Sequence, residues 1–382
     1  MPDPAPLVVF SDDWGRHPSS CQHLVAHLLP TRPVLWVNTI GTRPPRLDLA
    51  TLRRAAEKFR QWGRPKPPAA ADGSAAPRVL NPRMWPSFRT RFARGLNRRL
   101  LGRALRAAVA ELPAPPVVVT TLPVTADLVG EFPAARWVYY CVDDFGVWPG
   151  LDGRTMRTME AELVKKVGAV VAVSETLQEH LAKLGRPSHL LTHGVDLAHF
   201  RRVPAAFPDS LRALDALAGP LVVFWGVTDR RMDVEFVRAL AGSLEAGTVL
   251  LVGPRDDPDP ALLALPRVTA LPPVPYADLP ALAVRAAVLV MPYADLPVTR
   301  AMQPLKLKEY LATGRSVVVR DLPATRPWVD CLDVAGTPEA FAAAVRDRLA
   351  GGVPAAQTAA RARLEDEGWA AKAARFAGWL GG

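Results

Sequence analysis

One stretch in the last third of the sequence limits the fold more than any other. An apolar run over residues 287–292 leads through a polar loop into TRAMQPLKLKEYLATG, residues 299–314. In this stretch leucines and a tyrosine recur at helical spacing, and Gly314 follows as a C-terminal cap does. The apolar run over residues 316–320 comes next. Strand, loop, helix and strand form a βαβ unit, which predicts an α/β protein with a parallel sheet.

The loop and the first helical turn of this unit carry the residue types that bind phosphate and ribose. In open α/β sheets, ligands bind beyond the carboxyl ends of the strands, where helix N-termini present amides to anions. Arg300 and Lys306 suit a phosphate or diphosphate, and Glu309 suits a ribose diol. A solvated amphipathic helix is the plain alternative.

The segment PLKLKEYLATGRSVVVRDLPATRPW, residues 304–328, resembles the nucleotide-sugar site of GT-B glycosyltransferases, in particular glycosyltransferase family 4. The run T-R-A-x-x-P-L-K-L-x-E-Y is similar to a subgroup of the teichuronic-acid-biosynthesis type. The resemblance implies that Glu309 holds the donor ribose and that the loop before it holds the diphosphate and the sugar. An earlier glutamate, common in the family, is replaced by Ala301. The donor-binding residues predicted here are Thr299, Arg300, Pro304, Leu305, Lys306 and Glu309.

The same domain is expected to begin with the apolar run at 221–225 and the loop GVTDRR. The family commonly has G-R-L-x-x-x-K-G at this place; here the glycine is kept and the Lys-Gly pair is missing. Guanidinium groups match phosphate oxygens, but the sequence does not distinguish between the two neighbouring arginines. A strand ending in glycine and a segment that resembles the border of the base site follow. The predicted donor-binding residues of this part are Gly226, Arg230, Arg231, Gly253 and Leu271.

The N-terminal half shows a second strand, loop and helix pattern, which predicts another doubly wound domain. Its first strand, residues 7–10, runs into a polar loop that the resemblance places at an interdomain cleft, where it meets acceptor or donor. An ordinary turn rich in Asp and Gly is the alternative. His193 replaces the asparagine of the family's N-G-V-D motif and is a candidate cleft residue or a structural histidine. The other candidate cleft residues are Asp12, Asp13, Trp14, Arg16 and His17.

Two adjacent acids follow the apolar run at residues 137–142. The sequence around Asp143 and Asp144 is similar to Y-x-C-x-D-D-F in the teichuronic-type enzymes. Either carboxylate could orient or deprotonate an acceptor alcohol. Neighbouring side chains point in different directions, so both cannot be the base, and one of them could serve only as a cap.

The expected architecture is α/β with the GT-B fold: two Rossmann-like, doubly wound domains facing a cleft. The predicted domains are residues 1–203 for the acceptor and 204–354 for the nucleotide sugar. A single C-terminal helix over 355–382 is expected to pack back toward the first domain. Between the strands of the first domain, a helix is predicted around residues 52–62.

Charge and cysteine content limit the partners and the compartment. The net charge is +10, and residues 73–110 contain no acid. The segment 85–106 alternates arginines with large apolar residues, which predicts a basic amphipathic helix or helix pair on an anionic membrane surface. A solvated helix face or a nucleic-acid site are the alternatives, and no nucleic-acid motif accompanies the charge. Three scattered cysteines and the absence of a signal peptide or spanning run fit the cytoplasm.

We therefore predict a glycosyltransferase that moves a sugar from a nucleotide diphospho-sugar to a glycan or lipid-linked acceptor. The resemblance implies polysaccharide or cell-envelope synthesis, a retaining reaction, no cofactor and no obligatory metal. Its expected location is the cytoplasm, either in solution or peripheral on the inner face of the membrane. The alternatives are a GT-B sugar-nucleotide epimerase and a degenerate homologue that binds without turnover.

Overall fold

The computed structural model describes residues 4–15, 19–38, 76–204 and 206–381. The helix predicted around 52–62 lies outside the described residues. The chain divides into two compact units, Met1–Thr192 with Lys372–Gly382, and His193–Ala371. The sequence predicts a domain boundary after residue 203, whereas this division begins the second unit at residue 193. The predicted boundary stays a prediction.

The first unit is built on a seven-stranded parallel sheet with the order β3-β2-β1-β4-β5-β6-β7. Its strands Leu7–Ser11, Val117–Thr120 and Ala169–Ala172 are buried along their whole length, as expected of the central part of a parallel sheet covered on both faces. The strand order reverses between β1 and β4, so the carboxyl ends of these two strands form the switch point. The strands are β1 (Leu7–Ser11), β2 (Val34–Asn38), β3 (Arg78–Leu80), β4 (Val117–Thr120), β5 (Arg136–Cys141), β6 (Ala169–Ala172) and β7 (His189–Leu190).

Among the described residues of the first unit, four α-helices and one 3₁₀ helix lie before residue 192. Side chains accept hydrogen bonds from the first-turn amides of all four α-helices. The basic segment forms one helix, not a pair. The helices are α1 (Ser20–Leu28), α2 (Arg91–Val109), α3 (Gly153–Leu163) and α4 (Glu175–Lys183), with a 3₁₀ turn at Pro123–Asp127.

The second unit contains a six-stranded parallel sheet with the order β12-β10-β8-β13-β14-β15 and a two-stranded parallel pair, β9 and β11. In chain order the large sheet reads 3-2-1-4-5-6, the Rossmann arrangement. Its switch point lies between β8 and β13. The strands are β8 (Leu221–Trp225), β9 (Thr228–Asp229), β10 (Thr248–Val252), β11 (Arg255–Asp256), β12 (Val268–Leu271), β13 (Ala286–Met291), β14 (Ser316–Arg320) and β15 (Asp333–Ala335).

Helices connect these strands. They are α5 (Leu197–Phe200), α6 (Val234–Ser243), α7 (Pro260–Leu263), α8 (Leu279–Arg285), α9 (Pro297–Ala301), α10 (Leu305–Ala312), α11 (Pro338–Gly351) and α12 (Ala355–Ala360). Short 3₁₀ helices lie at Asp209–Ala216, Tyr276–Asp278, Arg326–Trp328 and Arg361–Glu367. The predicted βαβ unit is therefore present as β13, α10 and β14, with the extra short helix α9 in its loop.

The prediction of one continuous C-terminal helix from residue 355 is wrong. After α12 the chain forms the 3₁₀ helix, passes through an extended Gly368 and begins α13 (Trp369–Gly381). Two contacts explain the break: the Val195 amide donates to the Glu367 carbonyl at 2.9 Å, and the Arg361 side chain, which is buried, donates to the Cys331 carbonyl at 2.9 Å. Both tie this segment to other parts of the second unit.

The later part of α13 belongs to the first unit. The rings of Phe376 and Tyr140 lie 5.3 Å apart, and those of Trp379 and His189 stack at 4.6 Å. Trp369, at the start of the helix, belongs to the second unit. Within the described part of the chain, no helix is long and apolar enough to cross a membrane.

Candidate functional site

Lys306, the second residue of α10, lies at the switch point of the second sheet. Pro304 precedes the helix and Leu305 is its first residue, so the proline occupies the cap position rather than the first turn. Lys306 Nζ donates a hydrogen bond to the Tyr293 hydroxyl at 2.5 Å. It also lies 4.8 Å from the ring centre of Phe224 and 5.0 Å from that of Tyr293. Lys306 forms no salt bridge with any described residue.

Two glycines allow the backbone to approach this lysine closely. The Gly226 amide donates to the Val252 carbonyl at 2.9 Å, and the Gly253 amide to the Leu271 carbonyl at 3.1 Å. A Cβ on Gly253 would lie 2.1 Å from the Gly226 carbonyl oxygen, and a Cβ on Gly226 would lie 2.5 Å from Lys306 Nζ. Both glycines have strongly positive φ, +141° and +146°. The structure thus brings four of the predicted donor residues together.

Glu309 lies one helical turn further along α10, beside the end of β8. The Trp225 indole donates to Glu309 Oε2 at 3.3 Å, and the Tyr310 hydroxyl accepts a hydrogen bond from the Trp225 amide at 3.0 Å. Burial of the Glu309 carboxyl raises its pKa to about 7, against smaller opposing effects of the Trp225 hydrogen bond and the Lys306 charge. This carboxyl therefore exchanges its proton near neutral pH.

The two arginines after β8, which the sequence could not distinguish, have different surroundings. Arg231 is nearly buried and pairs with Asp229, with Nη2 2.8 Å from Oδ2. Arg230 is half exposed, and its guanidinium lies 3.6 Å from Asp257 and 3.7 Å from Asp259. Arg231 is thus held by a close carboxylate, whereas Arg230 has longer contacts with two carboxylates. A role of either one in donor binding stays a prediction.

The loop between β13 and α10 is braced by its own side chains. Thr299 is fully buried, and its hydroxyl accepts from the Leu296 amide at 2.9 Å and donates to the Ala294 carbonyl at 2.5 Å. Arg300 is exposed and pairs with Asp295 at 2.5 Å. These contacts give both residues a local role in shaping the loop, and their predicted contacts with a donor remain untested.

Candidate acids at the end of β1 form a local hydrogen-bond network. Asp12 Oδ1 accepts hydrogen bonds from the hydroxyls of Ser11 at 2.9 Å and Ser19 at 3.0 Å. Its Oδ2 accepts a hydrogen bond from the side-chain amide of Gln22 at 2.8 Å. The Asp13 carbonyl accepts from the same Gln22 side chain at 3.3 Å. This network joins the loop after β1 to the start of α1.

The rest of the predicted cleft loop is only partly described. The Trp14 amide donates to Asn38 Oδ1 at 3.1 Å, and its ring meets the Trp36 ring edge-on at 4.7 Å. Arg16 and His17 lie outside the described residues. The acceptor assignment of this loop stays a prediction.

Asp143 and Asp144, at the end of β5, differ in their contacts. Asp144 Oδ1 accepts from the Gly146 amide at 2.9 Å and so closes the turn after the strand. The Asp143 carbonyl lies 3.8 Å from Cys141 Sγ. The capping role that the sequence allowed for one of the two acids therefore belongs to Asp144.

His193 belongs to the second unit and is buried. Its carbonyl accepts from Lys308, which also pairs with Glu367. Its ring centre lies 6.3 Å from that of Trp369. These contacts favour the structural reading of this histidine.

Two residues of the site were missed by the sequence reasoning. The apolar run at 221–225 includes Trp225 as a strand residue, and Tyr293 lies just beyond the run at 287–292. The signal that could have found them is their position at or just after the carboxyl end of a switch-point strand. No cluster of three or more metal-ligating side chains occurs among the residues that the structure describes.

Comparisons with known proteins concern the family and the fold. Residues 219–350 match the family model of glycosyl transferases group 1. No curated protein matches the sequence. Sucrose-phosphate synthase from Thermosynechococcus elongatus superposes with a TM-score of 0.71 at 19% identity, covering 98% of this chain and 97% of that chain.

Two further solved structures are similar over nearly their whole length. HepE from Anabaena, in complex with UDP-glucose, has a TM-score of 0.68 at 13% identity, with 99% of both chains covered. A trehalose-6-phosphate protein from E. coli, bound with UDP-2-fluoro glucose, has a TM-score of 0.66 at 12% identity, covering 98% of this chain and 99% of that chain. At these identities the likeness shows the fold, which is GT-B. The chain therefore has a GT-B fold, and its residues 219–350 match the model of glycosyl transferases group 1.

Proposed function

We propose that the second unit binds a nucleotide diphospho-sugar at the carboxyl ends of β8 and β13, and that the protein transfers the sugar to a glycan or lipid-linked acceptor. The observation that carries this proposal is the charge of Lys306. It is a cation at the switch point of the sheet, and it forms no salt bridge with a described carboxylate. Anion binding is the role that such a cation can fill there.

Other cations of this end of the sheet are already paired. Arg231 pairs with Asp229, Arg300 with Asp295, and Arg320 with Asp233. Their charges are largely compensated within the protein. Lys306 differs because its nearest partners, two aromatic rings and a hydroxyl, carry no charge.

The start of α10 adds a second feature that favours an anion. Pro304 precedes it, and no side chain among the described residues caps its first amides. The amides of a helix N-terminus carry partial positive charge and bind phosphate. Lys306 and these amides lie on the same turn, so they act on one ligand group.

Glu309 supports a nucleotide rather than a simple phosphate. Carboxylates accept hydrogen bonds from vicinal hydroxyls, and this one lies one turn from the proposed diphosphate site. HepE in complex with UDP-glucose has the same fold, which supports a UDP-sugar as the donor class to test first.

The chemistry follows from the charges. Transfer breaks the bond between the sugar C1 and the diphosphate oxygen, and the leaving diphosphate carries the negative charge away. Lys306 and the α10 amides stabilise that charge as it develops, which is the electrostatic part of catalysis. A retaining outcome, a reaction without obligatory metal, and a role of Asp143 or Asp144 toward the acceptor hydroxyl are parts of the same proposal.

The test is calorimetric binding of UDP, GDP, ADP and TDP to the wild type and to Lys306→Met. We expect the variant to bind its best nucleotide diphosphate at least about tenfold more weakly, because a charge-assisted contact is lost. The variant should stay folded at a lower melting temperature, since no ion pair is broken but the buried Tyr293 hydroxyl loses its hydrogen-bond donor. Lys183→Met, an exposed lysine of α4, is the matched control. A folded Lys306→Met protein with unchanged affinity would reject the site.

Product analysis separates the remaining alternatives. An epimerase interconverts free nucleotide sugars without an acceptor. A degenerate homologue binds nucleotide and releases no product with any acceptor. Our proposal requires nucleoside diphosphate release that depends on an added acceptor.

We also propose that the exposed face of α2 and the segment before it bind an anionic membrane surface. Phe92 is 80% exposed and Trp85 is 52% exposed, which is unusual for large apolar side chains. Arg91, Arg99 and Arg103 are exposed on the same helix, and none forms a salt bridge with a described residue. Exposed aromatics beside unpaired arginines are the combination that anionic bilayers bind.

Not every arginine of this helix belongs to the proposed membrane face. Arg94 pairs with both Asp127 and Glu162, and Arg98 pairs with Glu131. These ion pairs join α2 to neighbouring elements of the first unit. The arginines of α2 thus divide into a structural set and an exposed set.

The membrane face is tested by co-sedimentation with vesicles of phosphatidylglycerol and phosphatidylcholine. The triple change of Arg91, Arg99 and Arg103 to Ser should abolish most of the binding, because each arginine contributes about 1 kcal/mol near an anionic surface. A triple change of Arg154, Arg212 and Arg346 to Ser, exposed residues elsewhere, removes the same charge and should leave binding intact. Equal losses in both triples would refute the assignment of this face.

A further inference from the structure

Tyr293 occupies an unusual place for a buried tyrosine. It follows β13 by two residues, is 1% exposed, and its ring meets the Phe224 ring edge-on at 5.8 Å. Its hydroxyl accepts the hydrogen bond from Lys306 Nζ at 2.5 Å. The hydroxyl is therefore aimed at the cation of the site.

The chemistry of this partner matters more than its presence. A carboxylate in the same place would fix the ammonium but would neutralise it. A phenol hydroxyl and two ring faces also hold a cation, by a hydrogen bond and by cation–π attraction, and they leave its charge intact. The groups in direct contact with Lys306 Nζ among the described residues are neutral, at 2.5, 4.8 and 5.0 Å, and the Glu309 carboxyl interacts with its charge from one helical turn away.

The lysine also has little freedom to move toward the backbone. A Cβ on Gly226 would lie only 2.5 Å from Lys306 Nζ. The hydrogen bond from one side and the Gly226 backbone from the other confine the ammonium to one position. One N–H of the ammonium is used by Tyr293, which leaves two for an anion.

We propose that Tyr293 is a positioning residue that presents Lys306, fully charged and preorganised, to the diphosphate of the donor. The inference rests on the proposed function, since it concerns the same lysine. Preorganisation raises affinity because the protein does not have to order a flexible side chain when the ligand binds. Tyr293 is required for the position of the charge, and Lys306 supplies the charge itself.

The test uses Tyr293→Phe, which keeps the ring and removes only the hydroxyl. We measure the affinities of UDP, GDP, ADP and TDP, each beside its nucleoside, for the wild type, Tyr293→Phe, Lys306→Met and the double variant. Tyr293→Phe should weaken nucleoside diphosphate binding about tenfold. Nucleoside binding should not change, because no phosphate is present.

The double variant distinguishes a role of Tyr293 in positioning Lys306 from a role in supporting the fold. If Tyr293 acts through Lys306, adding Tyr293→Phe to Lys306→Met causes no further loss. Equal losses of nucleoside and diphosphate binding, or a full second loss in the double variant, would show that Tyr293 only supports the fold. Tyr139→Phe, which removes a buried hydroxyl bonded to Glu160 at 2.7 Å in the first unit, is the control for stability.

The outcomes for the two proposals are separable. Weaker diphosphate binding by Lys306→Met with normal binding by Tyr293→Phe would overturn the positioning role and leave the donor site standing. Normal diphosphate binding by Lys306→Met would overturn the donor site itself.

Discussion

Replacing Glu309 by glutamine should change how the stability of the protein depends on pH. The pKa of the Glu309 carboxyl is raised from 4.5 to about 7 because the folded protein desolvates its charged form. Glutamine has nearly the same shape and never ionises. The difference between the two proteins therefore isolates the cost of the buried charge.

The sign and the size follow from proton linkage. Below pH 4.5 the carboxyl is protonated in both the folded and the unfolded chain, and no stability is lost. As pH rises toward 7 the unfolded chain ionises first, so the free energy of unfolding falls, and the loss is complete above pH 7. Each pKa unit corresponds to 1.36 kcal/mol, so the full loss is up to about 3 kcal/mol.

The assay is urea denaturation of the wild type and Glu309→Gln, followed by circular dichroism at pH 5 and at pH 8. We expect the free energy of unfolding of the variant, relative to the wild type, to rise by about 2 kcal/mol between these two values. Glu179→Gln, an exposed residue of α4, serves as the control and should show no such change. The same pH dependence for Glu309→Gln and the wild type would refute the account of this carboxyl.

Donor binding gives an independent readout of the same group. If the ionised Glu309 accepts the ribose hydroxyls, affinity for a nucleotide sugar should increase as pH rises through about 7. A nucleotide sugar is the right probe because its diphosphate diester does not ionise in this range. The Glu309→Gln variant should bind more weakly and without this pH dependence.

Three further outcomes are expected. In chemical denaturation, Gly253→Ala should lower the free energy of unfolding by about 3 kcal/mol, since the new Cβ would lie 2.1 Å from a backbone oxygen. The control Gly336→Ala places its Cβ in open space and should leave the free energy of unfolding nearly unchanged. Lys308→Met should cost about 3 kcal/mol in the same assay, because it removes the ion pair of the buried Lys308 with Glu367; a loss below 1 kcal/mol would show that the pair contributes little. Donor affinity measured by calorimetry should be unchanged by EDTA, and a large loss on chelation would contradict metal-free binding.

Most of the fold could be predicted because buried parallel strands leave a strong signal. The strands Val34–Asn38, Val117–Thr120, Leu221–Trp225 and Ser316–Arg320 begin and end where the apolar runs do. Such runs are apolar on both faces because helices cover both sides of the sheet. Short strands such as Arg78–Leu80 were missed, since three residues are too few to show a pattern.

The prediction of one continuous C-terminal helix was wrong because the local sequence signal is uniform there. Alanine-rich sequence favours helix everywhere, so the local signal did not show the break at Gly368. That break depends on tertiary contacts, the bridge of Val195 with Gly368 and the buried Arg361. Neither is visible in local propensity.

The candidate site was predictable in its location but not in its electrostatics. Lys306, Glu309, Gly226 and Gly253 follow from motif spacing and strand ends. Which cations are already paired depends on contacts that the sequence does not reveal, such as Arg231 with Asp229. The role of Tyr293 likewise depends on geometry alone.

The central claim is that the second unit binds a nucleotide diphospho-sugar through Lys306. The most direct measurement is the thermal shift of the metal-free protein with UDP-, GDP-, ADP- and TDP-sugars, for the wild type and Lys306→Met. A ligand at 100 times its Kd adds about 2.7 kcal/mol of stability. The account predicts a clear shift with one nucleotide family, strongly reduced in Lys306→Met. No shift with any of the four, or equal shifts in both proteins, would contradict it.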